Sequence, residues 1–261
     1  TGCSSGLHTI PARGRLPHGC VNITSNMLHR RLMDIFHLLA IVAVFSEQLP
    51  WPIASEGIAY KVAKLGAMVF LMLTLVTHQR FVAQPRNLRV LVLCAWAGSI
   101  AGDAFLAWSG FFIQGLASFL TAHILYCILF VRSGQTKWNG AFAFPLVLFG
   151  AGMASWLIAS GGVAGGLVAP VMLYLTVILT MAMIAAARYK AEPTLENRTV
   201  LFGALFFVIS DSLLAVNKFI QPLPYSGVLV LGTYYSAQEC ILLGWVRGRN
   251  GKVSNEETEV V

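Results

Sequence analysis

The chain has 261 residues, 57% of them hydrophobic and only 11% charged, against about 25% charged in an ordinary soluble domain. That composition excludes a water-soluble globular protein and predicts a polytopic membrane protein. The absence of a repeated alternation of about ten residues excludes a membrane barrel, so helices are the spanning structure. The net charge of +7 gives no sign of nucleic acid as a partner, because the basic residues are dispersed in short segments that positive-inside topology explains.

Eight apolar segments are read as spans, at approximately 35–54, 57–77, 88–108, 111–131, 139–159, 166–187, 200–220 and 226–246. The first carries Glu47 and then Pro50 and Pro52, which shorten its apolar length; the fifth runs into a Gly-rich stretch. Basic residues gather in cytoplasmic loops, and fifteen of the eighteen Lys and Arg fall on one side of this pattern. They are Arg13, Arg15, Arg30 and Arg31 before span one, Arg80, Arg86 and Arg89 after span two, Arg132 and Lys137 after span four, Arg188, Lys190 and Arg198 after span six, and Arg247, Arg249 and Lys252 at the end. The opposite connections, 53–57, 109–111, 160–166 and 221–226, contain neither Lys nor Arg. Such alternation requires an even span count and places both termini in the cytoplasm.

The expected architecture is therefore all-α, a polytopic bundle of eight transmembrane helices. Residues 1–34 are expected to form a disordered cytoplasmic arm without the apolar core of a signal peptide, and Met27 and Met33 are candidate natural starts. Residues 35–246 form the helical domain, and 247–261 a charged cytoplasmic tail ending in Glu256, Glu257 and Glu259. Cys3, Cys20, Cys94, Cys127 and Cys240 show neither a disulfide framework nor zinc spacing. The sequons at Asn22 and Asn197 lie on the cytoplasmic side, where glycosylation is not expected.

Asp103 and Asp211 sit within long apolar stretches in similar settings, Gly102-Asp103-Ala104-Phe105-Leu106-Ala107 and Ser210-Asp211-Ser212-Leu213-Leu214-Ala215. A carboxylate in hydrocarbon is costly enough that it normally marks chemistry. Helical rise places Asp103 and Lys64 roughly 10 Å below the outer boundary, and Asp211 and His123 roughly 15 to 20 Å below it, so one cavity can hold all four. Other polar candidates are Lys61, Tyr126, Ser210, Asn217, Lys218, Tyr234, Tyr235, Gln238 and Glu239, the last placed toward the cytoplasmic half with Arg247 or a backbone group as its partner. If their environments differ, one aspartic acid serves as general acid while the other, ionised, serves as base, a recurrent solution for acetal-like hydrolysis. No metal and no cofactor is expected, since zinc needs three or four placed ligands and only His123 lies deep in a span.

Gly102-Asp103-Ala104-Phe105-Leu106, then Gln114-Gly115-Leu116, Phe119, His123 and Tyr126, resembles the first signature of the lysoplasmalogenase family, whose bacterial members are called YhhN-like. Gly203 to Asp211, Asn217-Lys218-Phe219, Pro222-Leu223-Pro224-Tyr225-Ser226 and Thr233-Tyr234-Tyr235-Ser236-Ala237-Gln238 are similar to the animal members, of transmembrane protein 86 type. The resemblance runs from about residue 55 to 246. It implies an eight-span membrane hydrolase that cleaves the sn-1 vinyl ether of lysoplasmalogens, giving a fatty aldehyde and glycerophosphoethanolamine or glycerophosphocholine. For that chemistry Asp103 and Asp211 are the expected catalytic pair, with His123, Tyr126, Ser210 and Asn217 supporting. Lys61, Lys64 or Lys218 would receive the lipid phosphate, with Tyr234, Gln238 and Glu239 as secondary candidates. The partners are then a lysophospholipid and the bilayer, a homodimer is compatible with the sequence, and the endoplasmic reticulum is the expected membrane. The rival expectation is a transporter that couples protons or a cation through the Asp pair, with Gly161 to Gly166 as its gate.

Overall fold

The computed structural model describes residues 18–45, 57–138 and 140–248, the side chains of 18–26 apart. These residues form helices α1 (His18–Phe45), α2 (Ile58–Thr77), α3 (Gln79–Val82), α4 (Arg86–Leu106), α5 (Phe112–Arg132), α6 (Gly140–Ala159), α7 (Val168–Ala191, entered through a 3-10 turn at Gly165–Leu167), α8 (Leu195–Phe219) and α9 (Ser226–Arg247). There is no strand among the described residues. Residues 1–17, the Glu47, Pro50 and Pro52 end of the expected first span, and the tail beyond Gly248 lie outside them.

Local sequence sets the helix ends. The His78 side chain accepts from the Arg80 N–H at 3.2 Å and starts α3, while Thr194 accepts from the Asn197 N–H at 3.2 Å and starts α8, each satisfying an orphan donor of a first turn. Pro85 is the N-cap of α4 and Pro193 precedes the Thr194 cap of α8, as proline suits a position whose N–H has no helical partner.

Helices α1, α2, α4, α5, α7, α8 and α9 pack each on the next, and α9 returns to α1, closing a ring; α6 lies outside it against α7. The tightest seam joins α8 to α9. A Cβ on Gly203 would stand 2.8 Å from the Ala237 carbonyl oxygen, and one on Gly244 2.8 Å from that of Glu196, so glycine is what admits this backbone approach, as is common between membrane helices. The Trp96 indole N–H donates to the Met68 carbonyl at 3.2 Å and ties α4 to α2. Leu38, Ile41, Val62, Phe144, Val147 and Leu148 face outward and are exposed, as apolar side chains of membrane helices do toward lipid.

Among the described residues six segments are long and apolar enough to cross a membrane: α2, α4, α5, α6, Gly165–Ala191 and α8. Of the eight expected spans, α1 and α9 have the length but are not among those six. Two further differences stand out. Helix begins at His18, within the segment expected to be a disordered arm to residue 34, and the basic connection after α2 contains the short α3.

Candidate functional site

A cavity of about 490 Å³ lies at the end of the ring remote from the basic loops. Its walls come from the start of α2, the end of α4 with residues 107–110, the start of α5, the second half of α8 and the start of α9. Asp103 and Asp211 both line it. Gly102 is what brings Asp103 there, because a Cβ at that position would stand 2.5 Å from the Phe119 ring; Gly115 does the same against Leu106, with a clearance of 2.6 Å. The two glycines let α4 and α5 close together at the level of the carboxyl groups.

The carboxyls have unlike partners. Asp103 is 2% exposed; its Oδ1 is 3.2 Å from the Lys64 Nζ, and its Oδ2 accepts from the Tyr234 hydroxyl at 2.5 Å. Behind Tyr234, the Gln238 amide donates to the Tyr234 oxygen at 3.4 Å and accepts from the Tyr126 hydroxyl at 3.0 Å. Each hydrogen bond of this buried chain is donated in the direction of Asp103. Asp211 is less buried and accepts from the Tyr174 hydroxyl. One carboxyl thus carries a cationic partner and the other a neutral phenol, the kind of difference that separates acid from base in a carboxylate pair.

Other expected residues fall into place around this pair. Ser210 lines the cavity and donates to the Val230 carbonyl at 3.0 Å, linking α8 to α9. Asn217 also lines it, and its Oδ1 accepts from the Leu223 N–H at 2.8 Å, holding the connection before Tyr225, whose φ is +57°. Lys61 and Lys218 reach the mouth, with Nζ 3.7 Å from the Trp108 ring centroid and 5.5 Å from that of Phe112. Beyond Asp211 a smaller apolar void of about 60 Å³ opens between Leu116, Val171, Tyr174 and Phe219.

Three expectations require correction. His123 does not line the cavity; it is 1% exposed, packed edge-on to Phe207 and Tyr174 with centroids 4.9 and 5.5 Å away, and neither ring nitrogen has a hydrogen-bond partner. It touches the site through the rings of Tyr174 and Phe119. Glu239 faces away from the cavity and pairs with His37 of α1 at 3.3 Å, not with Arg247. Lys64 is committed to Asp103 and so is withdrawn from the set of free phosphate ligands. Conversely, Tyr174 escaped the sequence reading, although a buried phenol normally finds a hydrogen-bond partner. Among the described residues no group of three His, Cys, Asp or Glu could hold a metal ion.

The profile of the YhhN family matches residues 59–245. Lysoplasmalogenase TMEM86A from Homo sapiens is 33% identical over 172 residues, covering 64% of this chain and 69% of the relative. Lysoplasmalogenase TMEM86B from Homo sapiens is 31% identical over 149 residues, 57% and 60% of the two chains. A lysoplasmalogenase from Mycobacterium bovis is 27% identical over 158 residues, 58% of each. The matches to TMEM86B and the mycobacterial protein thus span less than two thirds of those relatives. No solved structure gives a significant match. The family match embraces both aspartates and every residue that lines the cavity, and the chain belongs to the YhhN family.

Proposed function

We propose that this protein is a lysoplasmalogenase, hydrolysing the sn-1 vinyl ether of a lysoplasmalogen to a fatty aldehyde and a glycerophospho alcohol. The observation that carries the reading is the meeting of Asp103 and Asp211 in one cavity with unlike partners. Relatives named lysoplasmalogenase support the same activity. In this reading α1 and α9 also cross the bilayer, giving eight spans with cytoplasmic termini, and the membrane is that of the endoplasmic reticulum.

Asp211, bonded to a neutral phenol, is the proton donor. Its proton passes to the vinyl carbon distal to oxygen as the double bond's electrons form the new C–H bond, leaving an oxocarbenium ion. Asp103, held ionised by Lys64, stabilises that cation and takes a proton from water as the water oxygen bonds to the carbon beside the ether oxygen. The hemiacetal then collapses. Its hydroxyl proton returns to Asp211, the C–O bond to glycerol breaks, and Asp103 protonates the departing oxygen. Tyr174 and the Tyr234, Gln238 and Tyr126 chain fix the two carboxyls. The apolar void beyond Asp211 suits the start of the alkenyl chain.

The transporter reading has less support. A Cβ on Gly162 would stand 1.7 Å from the Phe219 carbonyl oxygen, so the Gly-rich connection is packed onto the end of α8, an arrangement that suits a fixed joint better than a gate. The test is to incubate purified protein with lysoplasmenylethanolamine and with its saturated alkyl-ether analogue and measure aldehyde. The vinyl ether alone should yield product; no aldehyde from folded protein would overturn the proposal.

A further inference from the structure

Three of the eighteen Lys and Arg fall outside the basic loops, Lys61, Lys64 and Lys218, and all three line the cavity that holds the two aspartates. Cations placed against the positive-inside bias need a local reason. Lys64 has one in Asp103. For Lys61 and Lys218 no carboxylate lies within ion-pair distance among the described residues. Each is instead seated against an aromatic ring, Trp108 or Phe112, which orients its ammonium while leaving its hydrogens available. With Asp103 ionised and Asp211 protonated as the acid, three lysines against one carboxylate leave the cavity at +2, a charge that a phosphodiester offsets in part.

Depth fits the same ligand. Lys61 lies one turn nearer the helix start than Lys64, and Lys218 lies two turns beyond Asp211, about 10 Å along α8. The lysines therefore stand at the mouth and the carboxyls below them, separated by a distance that a glycerol phosphate bridges. We propose that Lys61 and Lys218 form a phosphate clamp that takes the phosphodiester of a single-chain glycerophospholipid from the leaflet opposite the basic loops. This assignment rests on the lysolipid reading of the cavity, and it makes the clamp the element that selects a phospholipid over a neutral ether lipid.

The test measures binding without turnover. Full-length protein in detergent is titrated with the saturated 1-alkyl-glycerophosphoethanolamine and with 1-alkylglycerol, which lacks the phosphate. Wild type should favour the phosphate-bearing lipid by at least ~100-fold, and Lys61→Gln and Lys218→Gln should each reduce that ratio by ~10-fold, one charge-assisted contact apiece. The double variant should bind both lipids alike, and Lys61→Arg should keep most of the preference. An undiminished preference in the double variant overturns the clamp. So does displacement by inorganic phosphate as effective as that by glycerophosphoethanolamine, since the site would then be one for free phosphate. Because the ligands are not cleaved, failure of the vinyl-ether chemistry would show separately, as absent aldehyde from a protein that still binds.

Discussion

Replacing Lys64 by Met strands the Asp103 carboxylate in a site where it is 2% exposed. At the observed 3.2 Å separation, Coulomb's law with an effective dielectric constant of about 20 gives an attraction of roughly 5 kcal/mol. Breaking one side of a buried pair typically costs about 3–5 kcal/mol, because the surviving charge has lost its compensation. For a chain of this size that corresponds to a fall of roughly 6–20 °C in melting midpoint. Asp103→Asn strands the Lys64 ammonium in the same way. The double variant Lys64→Met with Asp103→Asn removes both charges, so its midpoint should recover at least half of the loss while turnover stays absent. Melting of detergent-solubilised protein, with aldehyde release on the same samples, reads all three. If both single variants melt with wild type, or if the double variant falls by the sum of the two, the ion pair does not join α2 to α4 and the assignment of Asp103 as the ionised partner fails.

Gln238→Leu leaves the Tyr126 and Tyr234 hydroxyls without their shared buried partner, a cost of about 1–3 kcal/mol in stability, and turnover should fall at least roughly tenfold as Asp103 loses its support; a kinetically normal variant would remove the chain from the mechanism. Glu239→Gln breaks a contact to a half-exposed His37, so stability should change by less than about 1 kcal/mol and aldehyde release should stay within about twofold, whereas a large kinetic defect would return Glu239 to the site.

The helices at the positions of expected spans two to eight were readable to within about five residues, because apolar runs, Pro-Gly breaks and the basic loops mark the same boundaries. The extension of α1 ahead of residue 35 was not, since residues 18–34 carry polar groups without an apolar stripe; contact across the bundle end, such as His29 edge-on to His78 at 5.0 Å, accompanies it. The aspartates declared themselves as carboxyls in hydrocarbon. Which face their neighbours occupy was harder to infer from depth alone. Successive helical residues are rotated by about 100°, which sends Gln238 inward to Tyr126 and Glu239 outward to His37. Tyr174 was hidden because a phenol in an apolar run reads as packing, and His123 was misplaced because a polar ring at depth reads as chemistry, although Phe119, Tyr174 and Phe207 surround it.

Asp211→Asn is the sharpest probe of the acid–base pair, because the carboxyl's partner is the neutral Tyr174 and no buried cation is left behind. An amide keeps the shape and accepts the same hydrogen bond but delivers no proton. With lysoplasmenylethanolamine as substrate, aldehyde release should fall by at least ~100-fold, the usual contribution of a positioned general acid, while the melting midpoint stays within a few degrees of wild type. Turnover within tenfold of wild type in a normally folded Asp211→Asn protein would contradict the account.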